Sequence, residues 1–513
     1  MDYALAVLSG TLLALSFPRY GHAAVALAAA VPLLVAVSGW RGRPGRLPGT
    51  SWRRGAGLGG VAGTIYFGGT IYWTGAVVST FGGLPQAVAL ACAMALAAYM
   101  TLYLVAATAV LGRAVAVAGV RGLWLAPWLW VAGEFARGHI LGGFPWVPLG
   151  SSMAPVLPVV QLASLIGVYG LSWYLVAHST LIAVVIIGTP AQRVRAGIAA
   201  VALLAAVSIW GGLRLADGAL TRAGTPLAVA LVQANIRQEE KWDERMAPEI
   251  ERRYDRLTRQ AAAAGAEVVL WPESATPYYF NEAPSRAAAV RALVRDTGTP
   301  LLFGTDEIER GQPPRYYNSA FMLAPDGAVA AVYRKMQLVP FGEFVPLRSM
   351  LFFVSPLVEG VSDFSPGDRV TMLPMAGHMA STAICYEIVY PHLAREAVRQ
   401  GAELLTTITN DAWYGDSSAP YQHFALASLR AVEQGRYLAR AANTGISGVV
   451  DPYGRVIGAT RVFEEAVVVA EVRALRGRTV YATIGDLVAE IALGVAGLTV
   501  VWLGVEQRAR RRR

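Results

Sequence analysis

The chain has 513 residues, 55% hydrophobic and 15% charged, with a formal net charge of +9 at pH 7 and a mean hydropathy of +0.43. That length exceeds one ordinary core, and that composition excludes an enzyme that is soluble along its whole length. The positive charge does not point to nucleic acid. Much of it lies in short loops between apolar runs and in the tail Arg508 and Arg510–Arg513, where arginines set topology and meet anionic headgroups.

The apolar residues fill positions 1–215 and 481–503, whereas 216–480 has a soluble mixture. Eight runs read as bilayer spans, at approximately 3–17, 22–39, 57–80, 86–111, 121–136, 158–187, 196–214 and 482–503. The first lacks a basic leader and a clear cleavage site, so it reads as an uncleaved anchor. With the N-terminus in the cytoplasm, the inner loops and tail carry Arg41, Arg43, Arg46, Arg53, Arg54, Arg113, Arg121, Arg193, Arg195 and the five tail arginines; the outer loops carry Arg19 and Arg137. This bias places both termini in the cytoplasm and residues 216–480 on the outer face. The expected organisation is therefore seven spans over 1–215, an extracytoplasmic domain over 216–480, an eighth span over 481–503 and a basic cytoplasmic tail over 504–513. Within the fifth span, Glu134 and Arg137 read as an interfacial ion pair. The Gly- and aromatic-rich stretch 142–146 reads as an interfacial turn.

From Thr225 onward, short β-rich runs alternate with Ala/Arg-rich helical stretches. Strands are expected over 227–233, 267–271, 300–304, 317–323, 328–333, 380–385 and 403–409. Helices are expected over 247–264, 285–297, 391–400 and a long stretch 417–442, followed by a hairpin turning at 451–454. Mixed strands and helices in this order give a layered α/β or α+β domain. Three strands end in chemically capable residues, Glu273, Cys385 and Asn410/Asp411. Lys335 follows a fourth and leads into a loop stiffened by Pro340, Gly342 and Pro346.

Of the two cysteines, Cys92 lies deep in an apolar run, so no structural disulfide is expected. Cys385 taken alone reads first as a small buried residue. Its surroundings allow another role. Glu273 could take the thiol proton, and Lys335 as ammonium could favour the thiolate and then the oxyanion of a tetrahedral intermediate. The main-chain N–H of Tyr386 is a natural second oxyanion donor. Glu343 could orient Lys335, and Glu387 could order the thiol's surroundings. Each has a plainer alternative as a cap, a surface charge or a salt-bridge partner. The six histidines show no metal-ligand spacing and no Ser/His/Asp elbow is present, so neither a metal nor a cofactor is expected.

Taken together, Trp271-Pro-Glu273-Ser, Tyr333-Arg-Lys335 with Pro340-Phe-Gly-Glu343, and Ile384-Cys385-Tyr-Glu387 resemble the Glu-Lys-Cys triad of the nitrilase superfamily. Glu273 precedes Lys335 by 62 residues, and Lys335 precedes Cys385 by 50. Within that superfamily the chain most resembles the bacterial apolipoprotein N-acyltransferases. Supporting stretches are Val232-Gln-Ala-Asn235 through Lys241-Trp242, Tyr317-Asn318-Ser319, Asn410-Asp-Ala-Trp413-Tyr-Gly415 and Arg440-Ala-Ala-Asn443-Thr-Gly445. Ala234 stands where Gly is expected and Tyr414 where Phe is usual.

The resemblance implies a bundle of eight transmembrane helices with a nitrilase-like domain, a four-layer α-β-β-α sandwich, inserted before the last. It implies a bacterial inner-membrane enzyme with its catalytic domain in the periplasm. Cys385 would take an acyl chain from the sn-1 ester of a phospholipid such as phosphatidylethanolamine, in a ping-pong reaction. The acyl group would pass from the thioester to the α-amine of the S-diacylglyceryl cysteine of an apolipoprotein, the last step of lipoprotein maturation. Substrate contacts would fall on Trp242, Asn318, Trp413 and the apolar stretch 349–358 with Phe352 and Phe353, which reads as a lid or as ordinary core. The expected partners are phospholipids and diacylglyceryl apolipoproteins, and the expected state is a monomer. Two other readings stay open: an anchored amidase in which water resolves the thioester, and a transporter or receptor with an outer sensing domain. The second suffers from spans almost free of Asp, Glu and Lys.

Overall fold

The computed structural model describes residues 1–340, 342–344 and 364–512. Phe352, Phe353 and the stretch 349–358 lie outside the described residues. The chain divides into two compact units: Met1–Val78, Pro85–Asp217 and Thr483–Arg513 form one, and Ser79–Leu84 with Gly218–Ala482 form the other.

The first unit is helical. Four of its helices are long and apolar enough to cross a membrane: Gln86–Ala118, Ala163–Ile187, one covering Pro190–Arg222, and Leu487–Arg510. The other expected spans correspond to shorter or more broken helices, among them Asp2–Ala14, Val31–Val37 and Ala126–Arg137. Trp52–Ile71 opens on two arginines and is rich in glycine. At Gly59 a Cβ would lie 2.8 Å from the carbonyl oxygen of Leu104, so this small residue lets the helix sit close against Gln86–Ala118. Asp2 is buried and accepts from both Arg41 and Arg54, at 2.8 and 2.5 Å. The expected Glu134–Arg137 pair is not formed. Glu134 Oε1 instead accepts from Trp130 Nε1 and the Leu149 N–H, both at 2.8 Å. Arg137 donates to the Trp146 carbonyl at 2.7 Å and lies over the Phe67 ring. The intervening loop supplies main-chain partners nearer than the side chains are to each other.

The second unit holds two six-stranded sheets. The first comprises β1 (Thr225–Gln233), β2 (Val268–Leu270), β3 (Leu301–Glu309), β4 (Arg315–Leu323), β5 (Val329–Arg334) and β12 (Ala466–Ala474), in the order β12-β1-β2-β3-β4-β5. The second comprises β6 (Leu373–Met375), β7 (His378–Ile384), β8 (Leu404–Thr409), β9 (Leu438–Ala442), β10 (Gly448–Val450) and β11 (Val456–Ala459), in the order β11-β10-β9-β8-β7-β6. Each sheet has a parallel centre, β1-β2-β3 and β7-β8-β9, flanked by antiparallel strands. The central strands are buried on both faces, as their unbroken apolar runs require.

One core lies between the sheets and joins Leu231, Leu270 and Met322 to Ile384, Leu404 and Ile408. Another packs the outer face of the first sheet against the helices Ala247–Ala263 and Pro284–Thr297, through Tyr254, Leu257, Val290 and Phe303. The helices Pro391–Arg399 and Ala419–Gln434 pack on the second sheet, which completes an α-β-β-α layering.

One expectation for this unit is corrected. The helix expected over 417–442 ends at Gln434, because Gly435 takes a left-handed conformation (φ +61°) and closes it, and Leu438–Ala442 is the buried strand β9. The hairpin expected at 451–454 joins β10 to β11, and β12, which was not expected, follows it and pairs with β1 along its whole length.

Candidate active site

The site is assembled at strand ends. β2 runs Val268–Leu270, wholly buried, and Pro272 ends it just before Glu273. Beneath that turn passes Gly304, whose N–H donates to the Pro272 carbonyl at 3.1 Å. A Cβ at 304 would lie 2.5 Å from Glu273 Cα, so only glycine lets the two backbones approach this closely. Lys335 is the first residue past β5, and its N–H is tied to the Asn318 carbonyl at 2.8 Å. Cys385 is the first residue past β7 and turns the chain sharply with φ +52°. A non-glycine residue in that region costs of order 1–3 kcal/mol and persists only where surrounding bonds enforce it.

These three residues converge. Lys335, 1% exposed, donates from Nζ to Glu343 Oε1 at 2.8 Å and to Glu273 Oε1 at 3.3 Å. Asn318 Nδ2 donates to the same two oxygens, at 2.8 Å to Glu273 and 2.9 Å to Glu343. The second oxygen of Glu273 accepts the Asn410 N–H at 2.8 Å, and that of Glu343 accepts the Val339 N–H at 2.8 Å. Both carboxylates are thus fixed at both oxygens.

The electrostatics define the resting state. Burial pushes Glu273 up, but Lys335, Asn318, Lys241 and the Asn410 N–H together hold it below the ordinary carboxylate value. Burial works against the Lys335 ammonium, yet Glu343 and then Glu273 outweigh it and hold its pKa above normal. The Cys385 thiol is pushed well up, first by burial and then by the Glu273 charge, with Lys335 only partly offsetting them. The site therefore rests as a carboxylate, an ammonium and a neutral thiol. A neutral thiol needs a base before it can act as a nucleophile, and Glu273 is the ionised carboxylate whose charge reaches this one.

Glu387 is fully buried and ties the thiol's turn to the Lys335 loop. Its Oε1 accepts from the Tyr333 hydroxyl at 2.8 Å and from the N–H groups of Met336 and Gln337 at 2.7 and 3.1 Å; its Oε2 accepts from the Ile384 N–H at 2.7 Å. Tyr386 is buried and its hydroxyl accepts from Tyr390 at 3.2 Å. Trp242 and Trp413 are partly exposed, and Trp413 meets the Phe81 ring edge-on at 4.9 Å. Asn318, expected to contact substrate, spends its amide N–H groups on Glu273 and Glu343. Among the described residues no group of three or more His, Cys, Asp or Glu is placed to hold a metal.

Two further groups close on the site, and of their residues His423 and Asp306 were not singled out from the sequence. His423 Nε2 lies 3.1 Å from the Cys385 carbonyl oxygen, and its Nδ1 lies 3.1 Å from both Arg440 Nη2 and Asp411 Oδ1. Arg440 can only donate, so Nδ1 accepts and Nε2 carries the proton given to the Cys385 carbonyl. Burial and Arg440 both favour this neutral ring. Burial pushes Asp411 up, but the Arg440 guanidinium at 2.7 Å and the Thr409 hydroxyl, donating at 2.9 Å, keep it ionised. Lys241 donates to the Glu273 carbonyl at 3.0 Å, and burial brings its pKa down to about 8. Asp306, pushed by burial up to about 7, accepts from the Ser274 hydroxyl at 3.3 Å. The Asn410-Asp411 strand end signalled one of these residues; no spacing in the chain relates it to His423 or Arg440.

Two family models match the chain: carbon-nitrogen hydrolase over residues 228–481 and the apolipoprotein N-acyltransferase N-terminal domain over residues 9–181. Curated relatives include an apolipoprotein N-acyltransferase of Geobacter metallireducens, 40% identical over 98% of this chain and 94% of that protein. Another, of Methylococcus capsulatus, is 34% identical over 96% of this chain and 95% of its own length. A solved amidase from Nesterenkonia sp. is 23% identical and covers 53% of this chain and 97% of its own, with a TM-score of 0.40.

Proposed function

The chain belongs to the apolipoprotein N-acyltransferase family, and we propose that it moves a fatty acyl chain from a membrane phospholipid to the N-terminal amine of a diacylglyceryl apolipoprotein through a thioester on Cys385. The observation that carries this reading is the meeting of Glu273, Glu343 and Lys335 in one hydrogen-bonded cluster whose charges act on the Cys385 thiol.

In the first half-reaction Glu273 takes the Sγ proton as sulfur attacks the carbonyl carbon of the sn-1 ester. The C–S bond forms, and the oxyanion is met by the Lys335 ammonium and the Tyr386 N–H. Collapse breaks the ester C–O bond, and Glu273 returns its proton to the leaving oxygen, releasing a lysophospholipid. In the second half-reaction the neutral α-amine, whose ordinary pKa is about 7.7–8.0, attacks the thioester. The C–N bond forms, Glu273 takes the amine proton, and the C–S bond breaks as sulfur regains a proton. Glu343 holds Lys335, and Glu387 holds the Lys335 loop against the nucleophile turn. Trp242 and Trp413 offer surfaces for the lipid chains.

The same reading takes the eight apolar segments as eight spans, of which four stand out by length. The arginine bias puts both termini in the cytoplasm and the catalytic unit, joined to apolar helices at both ends, in the periplasm. The test is incubation of purified protein with phosphatidylethanolamine and an S-diacylglyceryl cysteinyl peptide. N-acylated peptide and lysophospholipid in equal amounts are expected. Free fatty acid without N-acylated peptide would overturn the transferase reading in favour of hydrolysis.

A further inference from the structure

The helical unit contains a cavity of about 150 Å³ at its arginine-rich end, remote in sequence from every residue of the catalytic cluster. It lies between three helices, the start of Trp52–Ile71, the last turns of Gln86–Ala118 and the end of Leu487–Arg512. Trp52, Arg113, Val117, Leu503, Glu506 and Arg510 line it. We propose that this cavity binds the phosphodiester headgroup of an anionic phospholipid in the leaflet on the arginine-rich side.

The lining charges argue first. Arg41 and Arg54 are held by Asp2, whereas Arg113 and Arg510 make no hydrogen bond or ion pair with any other described residue. Two guanidinium forks turned on one cavity offer the planar donor pairs that phosphate oxygens accept. Against them stands one carboxylate, Glu506, so the site carries one net positive charge, which matches the single negative charge of a phosphodiester. The helix Trp52–Ile71 starts here with Ser51 capping the Arg54 N–H, and its N-terminal dipole adds to the same field.

The remaining lining fits a lipid better than a free ion. Val117 and Leu503 supply an apolar side, and the indole of Trp52, 38% exposed, is the side chain that settles at headgroup depth. Glu506 and Gln507 can accept from the hydroxyls of a glycerol headgroup. The two helices carrying Arg113 and Arg510 are both long and apolar enough to cross a membrane, so the cavity falls where such a helix emerges from the apolar layer.

The test compares wild-type protein with the double variant Arg113→Gln, Arg510→Gln, both delipidated in detergent, by native mass spectrometry with added phosphatidylglycerol or phosphatidylcholine. Wild type is expected to retain phosphatidylglycerol in preference to phosphatidylcholine. The double variant should lose that preference by at least about tenfold while keeping its acyl-transfer rate, which separates this site from the catalytic one. Equal retention of the two lipids by wild type, or undiminished preference in the double variant, would overturn the proposal. Displacement of phosphatidylglycerol by millimolar sodium phosphate would overturn it in favour of a free anion. Should the double variant fail to fold, a photoactivatable phosphatidylglycerol on wild-type protein decides. Crosslinks to peptides containing Trp52 or Leu503 support the site, and crosslinks confined to other helices refute it.

Discussion

The carboxylate of Glu387 accepts the main-chain N–H of Met336 at 2.7 Å, so the residue two places after the thiol holds the residue one place after the lysine. This bond and its three companions on Glu387 tie the turn at the Cys385 thiol to the loop that carries the Lys335 ammonium. Glu387→Gln keeps the shape but offers one acceptor oxygen where two are used, and turns an NH2 toward a donor. An unsatisfied buried donor costs about 1–3 kcal/mol. The variant should melt lower and form the acyl-enzyme at least tenfold more slowly, by thermal unfolding and single-turnover acylation. Wild-type values in both would remove the bracing role.

Thiol chemistry gives a second test with a definite sign. The Cys385 pKa is raised above its ordinary 9.0 by burial and by Glu273, so the neutral thiol dominates up to at least about pH 9. Alkylation by iodoacetamide, which needs thiolate, should climb with pH through neutrality without levelling. Glu273→Gln removes a negative neighbour and should move that profile to lower pH. On the proposed mechanism the same variant loses the base, and its acyl transfer should fall by about 10²–10⁴. Alkylation and transfer therefore move in opposite directions. A plateau of alkylation near neutral pH in the wild type would contradict the neutral resting thiol.

His423 is a positioning residue on this geometry. Glutamine can reproduce its Nε2 donation to the Cys385 carbonyl, whereas phenylalanine cannot. His423→Phe should slow acylation at least tenfold through a relaxed Cys385 turn, and His423→Gln should recover most of the loss. Equal damage in both variants would show that packing alone, and not the hydrogen bond, is what the ring supplies.

Gly304→Ala tests the backbone contact beneath Glu273. The new methyl has no room beside Glu273 Cα, and overpacking of this kind costs about 1–3 kcal/mol. Lower stability with a sharply reduced acylation rate is expected. Undiminished acylation would show that the Glu273 turn tolerates displacement.

What was legible in the sequence follows from range. Glu273, Lys335 and Cys385 each follow a short strand within three residues, so local pattern placed them at strand ends. The Asn318 bridge was not legible, because it depends on the β4 register that puts Asn318 opposite Asp306 and on the Lys335 loop folding back over it. The grouping of Asp411, His423 and Arg440 comes from a strand end, a helix and a strand that only tertiary packing unites. The stretch 417–442 misled because its Ala and Arg content favours helix, while burial in the centre of the second sheet makes Leu438–Ala442 a strand. Glu134 and Arg137 stand at helical spacing, yet the stretch through Trp146 and Leu149 gives each a main-chain partner of its own.

The most direct measurement is the intact mass of the protein after incubation with phosphatidylethanolamine and no acceptor, followed by peptide mapping. One fatty acyl group in thioester linkage on the peptide containing Cys385 is expected, lost on adding the diacylglyceryl peptide and never formed on Cys385→Ser. An acyl adduct that persists on Cys385→Ser, or one that maps to another residue, would contradict the assignment of Cys385 as the acyl carrier.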